Sequence, residues 1–118
     1  SIIGKNGFKK LVSTDGDGIY FAGRSDEVTI KNVMLKVPNG NGFVFEGTAN
    51  NFTIENNYFL DIGKSGIYFK GPNNQAGSGA KLTHNLFYGD NQAITIENQS
   101  SPFELNVSNN TFFKPADK

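Results

Sequence analysis

Short segments in which apolar and polar residues alternate recur along the chain, two in each repeating stretch. The clearest are T-I-E-N at Thr53–Asn56 and G-I-Y-F-K at Gly66–Lys70. Alternation with a period of two is typical of β-strands, so these segments predict strands with Ile54, Ile67 and Phe69 on the buried face.

The alternating segments belong to an internal repeat. Residues 28–47 align without a gap with residues 52–71, at a shift of 24 residues, with apolar residues at matching strand positions. Less regular copies lie at residues 17–23, 81–98 and 104–113. The repeat is therefore the organising unit of the chain.

A period of about 24–28 residues, with two short strands and no helical half in each unit, predicts an all-β fold of the β-solenoid type with four to five coils. We expect a single domain, residues 1–118, with coils near residues 1–27, 28–51, 52–80, 81–104 and 105–118. Each coil buries its apolar residues mainly against its neighbours, which it meets at the spacing of paired strands, about 4.8 Å.

Asparagine recurs at one repeat position. Asn57, Asn85 and Asn110 fall in one column of the aligned copies, and stacked side-chain amides can bond from one coil to the next. We therefore expect an asparagine ladder inside the solenoid. The ladder should end at Val33, because that residue holds the same position in the preceding coil.

Two irregular features interrupt the repeat. The only histidine, His84, replaces Asn56, and a lone His without partners forms neither a zinc site nor a catalytic triad, so we interpret it as a turn residue. The insertion PNNQAGSG at Pro72–Gly79 is the longest interruption. A lid over a ligand and a neutral insertion are both open interpretations of it.

The composition excludes several classes of binding partner and covalent cross-link. Eleven basic and eleven acidic residues give zero formal net charge, and the lysines are scattered, so we expect no nucleic-acid partner. No apolar run approaches the roughly 18 residues of a membrane span, so we expect no membrane insertion. The chain has no Cys, which excludes disulfides and thiolate metal sites.

The repeats resemble those of right-handed parallel β-helix proteins of the pectate-lyase-like kind, which read I-x-N-N-x-F followed by G-I-x-I. Residues 54–59 and 66–69 carry this pattern, and the resemblance extends over nearly the whole chain. It implies a right-handed parallel β-helix, an extracellular setting or a cell or virion surface, and a polysaccharide partner.

Two classes of function follow from the resemblance, because one β-helix scaffold serves both. The first is a carbohydrate-recognising module, either tailspike-like or adhesin-like, or a structural segment. The second is a polysaccharide lyase or glycoside hydrolase that acts on acidic polysaccharide. We favour the first, since the chain is short and its predicted exterior is a series of ladders.

Two outward columns flank the second strand of each unit and hold the main site candidates. The columns contain Tyr20, Val44, Tyr68 and Thr95, and Ala22, Glu46, Lys70 and Glu97. Tyrosine rings suit stacking on sugars, so Tyr20 and Tyr68 are candidate substrate-binding residues. Lys70, Glu46 and Glu97 are candidate catalytic residues, and the open alternative is an exposed ladder of alternating charges.

A lysine base is the mechanism that the resemblance implies for this strip, because some lyases of this fold use a Lys together with bound Ca²⁺. In this interpretation Lys70 is the base that abstracts the proton. Against this role, a flanking pair of carboxylates should hold Lys70 in its protonated form.

A third column lies in the turn before the same strand and holds Asp17, Asn41, Ser65 and Gln92. Asp17 and Asn41 are candidate substrate-binding residues. The stretch Thr14–Ile19 resembles the N-T-D-G-I motif of polygalacturonase-like hydrolases, but the following coils lack the other two expected carboxylates, so we do not expect that mechanism.

Calcium is the one cofactor that the sequence suggests. Asp15 and Asp17 could supply carboxylate oxygens to Ca²⁺, and the alternative is a pair of ordinary Asp-Gly turns.

The terminal coils leave strand edges and apolar side chains without a predicted capping helix. We therefore expect self-association at the open ends, or further β-helix coils if the chain is part of a longer solenoid.

Overall fold

The computed structural model describes residues 2–5, 7–23, 27–49, 51–76, 80–97 and 104–116. Every regular element in these ranges is a β-strand, and none of their residues belongs to a helix that could cross a bilayer. The strands are β1 (Ile2–Ile3), β2 (Lys9–Val12), β3 (Ile19–Ala22), β4 (Thr29–Lys31), β5 (Val33–Lys36), β6 (Phe43–Ala49), β7 (Thr53–Glu55), β8 (Tyr58–Leu60), β9 (Ser65–Ala76), β10 (Lys81–Thr83), β11 (Leu86–Tyr88), β12 (Gln92–Ile96), β13 (Asn106–Ser108) and β14 (Thr111–Phe113).

The strands form three parallel sheets, which run along the solenoid. Sheet A has the order β1-β4-β7-β10-β13, sheet B has β14-β11-β8-β5-β2, and sheet C has β12-β9-β6-β3. The chain passes through sheets A, B and C in turn, so the described strands make four coils of three strands and part of a fifth. This arrangement confirms the predicted parallel β-helix.

The strand register confirms the repeat alignment. In sheet A, Ile30 pairs with Ile54, Ile54 with Leu82, and Leu82 with Val107. In sheet B, the matching column contains Leu35, Phe59, Phe87 and Phe112. Apolar residues that share a repeat position therefore lie directly above one another.

Stacked phenylalanine rings fill much of the core. The Phe59 and Phe87 ring centroids are 4.5 Å apart with nearly parallel planes, and Phe112 continues this stack at 5.1 Å. A second stack joins Phe45 to Phe69 at 5.4 Å. Large rings at one repeat position fit because each ring packs on its equivalent in the next coil, which explains the high Phe content.

The predicted asparagine ladder is present between sheets A and B. The buried Asn57 side chain donates to the Ile30 carbonyl and to Asn85 Oδ1, each at 3.0 Å. Asn85 makes the equivalent bonds to the Ile54 carbonyl and to Asn110 Oδ1. The ladder thus pairs backbone groups that the sharp turn would otherwise bury without partners.

The ladder ends where the sequence predicts. Val33 has no side-chain amide, but its backbone N–H donates to Asn57 Oδ1 at 3.0 Å. Asn57, the first amide of the ladder, therefore still accepts a hydrogen bond from the backbone of the preceding coil.

Gly18 and Gly42 directly precede β3 and β6 of sheet C, where the coils approach closely. A Cβ added to Gly42 would lie 2.4 Å from the Gly66 carbonyl oxygen and 2.7 Å from a Leu35 methyl carbon. A larger residue would force neighbouring coils apart at this point.

The insertion begins inside a strand. Residues 72–76 belong to β9, and residues 77–79 lie outside the described part of the chain. The β6–β9 register shifts between Glu46–Lys70 and Thr48–Gln75, which leaves four residues of β9 opposite one residue of β6. The extra residues are therefore absorbed as an irregularity, and pairing resumes after it.

Asn85→Ala should lower the free energy of unfolding by about 3 kcal/mol, because it leaves the Ile54 carbonyl and the Asn57 N–H buried without partners. Urea unfolding followed by circular dichroism measures the loss. Asn106→Ala, at an exposed position of β13, is the matched control and should change stability by less than about 0.5 kcal/mol. Equal losses in the two variants would contradict a structural role for the ladder.

Self-association stays a prediction, and the fifth coil offers a way to test it. Phe112 is 54% exposed although it continues the inner Phe stack, and exposed apolar surface of this kind favours association. Sedimentation equilibrium should show a mass that rises with concentration, and Phe112→Ser should reduce the rise. A monomer at every concentration would exclude self-association.

Candidate functional site

Sheet C places the candidate side chains on one outer face. Tyr20 pairs with Val44, and Val44 pairs with Tyr68 in the next coil. In the neighbouring column Glu46 pairs with Lys70, and Glu97 directly follows β12. We call the set Tyr20, Glu46, Tyr68, Lys70 and Glu97 the sheet C strip.

Lys70 connects the two columns of the sheet C strip. Its Nζ atom lies 3.5 Å from the Tyr20 hydroxyl and 4.0 Å from Glu46 Oε2. The ammonium group also lies 5.6 Å from the centre of the Tyr20 ring, within the range of a cation–π contact. Tyr20 and Lys70 are in alternate coils, so the lysine side chain extends across the coil between them.

The surroundings of Lys70 favour its charged form. The hydrogen bond with Tyr20 and the nearby carboxylate of Glu46 raise the pKa of Lys70 above its ordinary value. The sequence predicts a protonated lysine from the carboxylates of both Glu46 and Glu97. Glu46 acts in the expected direction, but the largest cause is the Tyr20 hydrogen bond. Glu97 bonds to Tyr68 instead. An ammonium group donates hydrogen bonds and cannot abstract a proton.

Tyr68 and Glu97 form the second pair of the strip. The Tyr68 hydroxyl donates to the Glu97 carboxylate, and this bond is the largest of the causes that raise the pKa of Tyr68 to about 12. The phenol therefore stays neutral well above its ordinary range, and Glu97 is held beside it.

Val44 differs from the expectation of an outward, exposed residue. It is only 1% exposed, although it lies outside the main core cluster. Its neighbours in the column are Tyr20 and Tyr68, whose large side chains stand on the same face of the sheet. The strip therefore has an apolar floor between its two tyrosines.

Asp17 and Asn41 form a second ladder in the turn before sheet C. Asp17 Oδ1 accepts bonds from the Asn41 backbone N–H at 2.8 Å and from the Asn41 side chain at 3.1 Å. Asn41 Oδ1 in turn accepts from the Ser65 backbone N–H at 2.9 Å. The Asn41 side chain is buried and engaged within the solenoid, so we do not carry it into a binding proposal.

The structure does not bring a calcium site together around Asp15. Ser13 Oγ donates to the carbonyl groups of Asp15 and Gly16, as in a compact turn. Within the described residues, no group of three or more His, Cys, Asp or Glu side chains is placed to hold a metal ion. The calcium role of Asp15 and Asp17 stays a prediction.

The backbone at His84 supports its interpretation as a turn residue. His84 has a φ of 56°, and the equivalent residues Asn32, Asn56 and Asn109 have φ values between 56° and 58°. This left-handed conformation favours Gly and Asn and also admits His, which explains the substitution within the repeat.

The outer face of sheet B carries residues that the sequence analysis did not single out. Met34, Tyr58, Leu60, Leu86 and Tyr88 alternate with buried residues of β5, β8 and β11. The outward positions of sheet A are polar apart from the exposed Ile3 of the edge strand β1, and the polar residues are Thr29, Lys31, Thr53, Glu55, Lys81, Thr83, Asn106 and Ser108. The sequence does indicate this face, because Tyr58–Leu60 and Leu86–Tyr88 have aromatic or aliphatic residues at all three positions and do not alternate with polar ones.

Comparison with protein families gives one match, the right handed beta helix region, over residues 2–118. The chain belongs to this family of right-handed parallel β-helices, and the family gives the hand of the solenoid. No curated protein and no solved structure matches the chain.

The Tyr68–Glu97 pair predicts a specific titration. In a spectrophotometric titration of the phenols, one tyrosine should ionise near pH 12, and Glu97→Gln should return it toward the ordinary value of 10.0. Because the pKa is raised in the folded chain, the stability that the bond contributes is fully present below pH 10 and is lost as the pH rises toward 12.

Tyr68→Phe is the matched control for this titration. It should remove the late ionisation and leave the other tyrosines unchanged. Late ionisation that survives in Tyr68→Phe would show that the assignment to Tyr68 is wrong.

Proposed function

We propose that the protein is a carbohydrate-recognising β-helix module that binds a polysaccharide along the sheet C strip. The observation that carries the proposal is the placement of the exposed Lys70 ammonium beside both the Tyr20 hydroxyl and the Glu46 carboxylate. The proposal includes an extracellular setting or a cell or virion surface, where polysaccharides are found.

The strip offers the groups that sugar recognition requires. Lys70 is a charged donor, and Glu46 and Glu97 are charged acceptors, which form stronger hydrogen bonds with hydroxyl groups than neutral partners do. The tyrosine rings give apolar surface for the C–H faces of sugar rings, and the buried Val44 side chain packs beneath them. Tyr20 is 44% exposed, so part of its surface is accessible to a ligand.

The regular spacing of the coils favours an extended ligand. Equivalent positions of the strip repeat at about 4.8 Å, and the strip crosses four strands of sheet C. A linear polymer can contact successive coils with successive units, so weak individual contacts add along its length.

A binding role is favoured over a lysine-base lyase by the protonation of Lys70. A lyase of that kind needs a neutral amine near neutral pH, and the Tyr20 hydrogen bond and the Glu46 carboxylate act in the opposite direction. The enzyme class therefore has no supporting observation at this lysine.

Lys70→Ala should weaken polysaccharide binding about tenfold, because it removes a charged hydrogen bond from the centre of the strip. Native gels that contain alginate, polygalacturonate or neutral glucans, followed by calorimetry with the polymer that retards the chain most, measure the change. Lys36→Ala, which alters an exposed lysine of sheet B, is the matched control and should bind normally.

Two results would contradict the proposal. The first is equal retardation of Lys70→Ala, Tyr20→Ala and the unaltered chain. The second is the release of unsaturated sugar products, detected by ultraviolet absorbance, that disappears in Lys70→Ala, because this would make the strip catalytic.

A further inference from the structure

A groove runs along the solenoid between the edge of sheet B and the turns that carry the asparagine ladder. The groove is shallow and wide open to solvent, and its volume is about 380 Å³. The groove crosses three coils, and equivalent residues from each coil line its two walls. It lies on different strands from the sheet C strip.

One wall of the groove is a row of turn residues. Asn56, His84 and Asn109 occupy equivalent positions in three successive coils and are exposed. Among the residues that the structure describes, the side chains of His84 and Asn109 make no hydrogen bond, while the Asn56 amide donates to Asn32 at 2.7 Å. This wall thus presents hydrogen-bonding groups that repeat at about 4.8 Å.

The other wall is formed by the outer face of sheet B. Tyr58, Leu86 and Thr111 pair directly across β8, β11 and β14 and line the groove. Leu86 is apolar, Tyr58 has an apolar ring and a hydroxyl group, and Thr111 adds a second hydroxyl group at the far end. The groove is therefore polar on one side and mainly apolar on the other.

An aromatic contact limits the groove at the β8 end. The Phe8 ring stacks on the Tyr58 ring with a centroid distance of 4.3 Å. In the turn row, Asn32 is engaged with Asn56 and with the Gly4 carbonyl at 3.0 Å. Among the described residues of this row, the side chains without a hydrogen-bond partner are therefore those of His84 and Asn109.

From these features we infer that the groove is a second binding surface, which takes a neutral saccharide chain. The lining contains no carboxylate, lysine or arginine, so nothing in it complements a charged group other than the imidazole of His84. A sugar ring has apolar C–H faces and hydroxyl groups at its edges, which match the two walls. This site goes beyond the proposed function, because it shares no residue with the sheet C strip.

Other occupants fit less well. Three coils span only about 10 Å, so the groove is too short to supply alone the roughly 800 Å² per partner that a stable protein interface buries. A peptide would place backbone amides against the Leu86 and Tyr58 wall, and burying such groups without partners is costly. A saccharide can keep its hydroxyl groups on the polar wall and in water.

Nuclear magnetic resonance on the isotope-labelled chain tests the inference directly. Neutral hexasaccharides of the glucan, mannan, xylan and galactan types are titrated to millimolar concentrations, with hexagalacturonate as the acidic comparison. We expect at least one neutral probe to give saturable shifts of the His84 imidazole, the Asn109 side-chain amide and the Leu86 methyl groups.

Variants at the turn row then test the polar wall. His84→Gly combined with Asn109→Gly removes both side chains, and glycine accepts the left-handed backbone at these positions. The double variant should bind the neutral probe about tenfold more weakly, as expected for two lost hydrogen bonds. Lys81→Ser, on the outer face of sheet A, should bind it normally.

The outcomes separate this site from the sheet C strip. Lys70→Ala should leave the neutral titration unchanged even if it abolishes binding at the strip, and the converse should hold for the double glycine variant. No shift at His84, Asn109 or Leu86 with any neutral probe would overturn the inference. A preference for hexagalacturonate at these residues, or unchanged affinity in a folded double variant, would also overturn it.

Discussion

The requirement that each coil lie in register on the next governs this molecule. Parallel pairing fixes the backbone spacing, and the asparagine ladder fixes the turn between sheets A and B, where Asn57 and Asn85 bond both to backbone and to one another. A buried amide that bonds in both directions leaves little freedom for a coil to slip or rotate. The phenylalanine stacks follow from the same constraint, because only residues in register can stack.

Because the interior repeats, chemical variety is confined to the outer face of each sheet and to the turns. The three outer faces differ clearly. Sheet A is polar apart from Ile3 at its edge and carries the Lys31–Glu55 ion pair at 3.4 Å, sheet B is largely apolar, and sheet C combines tyrosines with charged groups. Function in such a fold is therefore decided by which face a side chain occupies, and one scaffold presents three separate surfaces to its environment.

Much of the fold could be predicted from the sequence, since the repeat alignment gave the register of all three sheets except where β1 and β2 of the first coil join them. The ladder column, its end at Val33 and the left-handed turn at His84 all follow from repeat position. The geometry of the candidate site could not be obtained in this way. The contact between Lys70 and Tyr20 joins alternate coils through a long, flexible side chain, and the burial of Val44 depends on how two tyrosines are oriented. The alternation of apolar and polar residues along a strand predicts neither the Lys70–Tyr20 contact nor the burial of Val44.

The irregular stretch of β9 shows what a solenoid tolerates. Four residues stand opposite one at the β6–β9 pairing, yet the next coil returns to the same register, with Ile94 on Ile67 and Ile96 on Phe69. The number of residues in a coil can therefore change without moving the stacked residues. A coil can gain residues at one corner while every stacked column stays in place. In evolution or in design, such a corner allows a new loop to be tried on one coil without reworking the others.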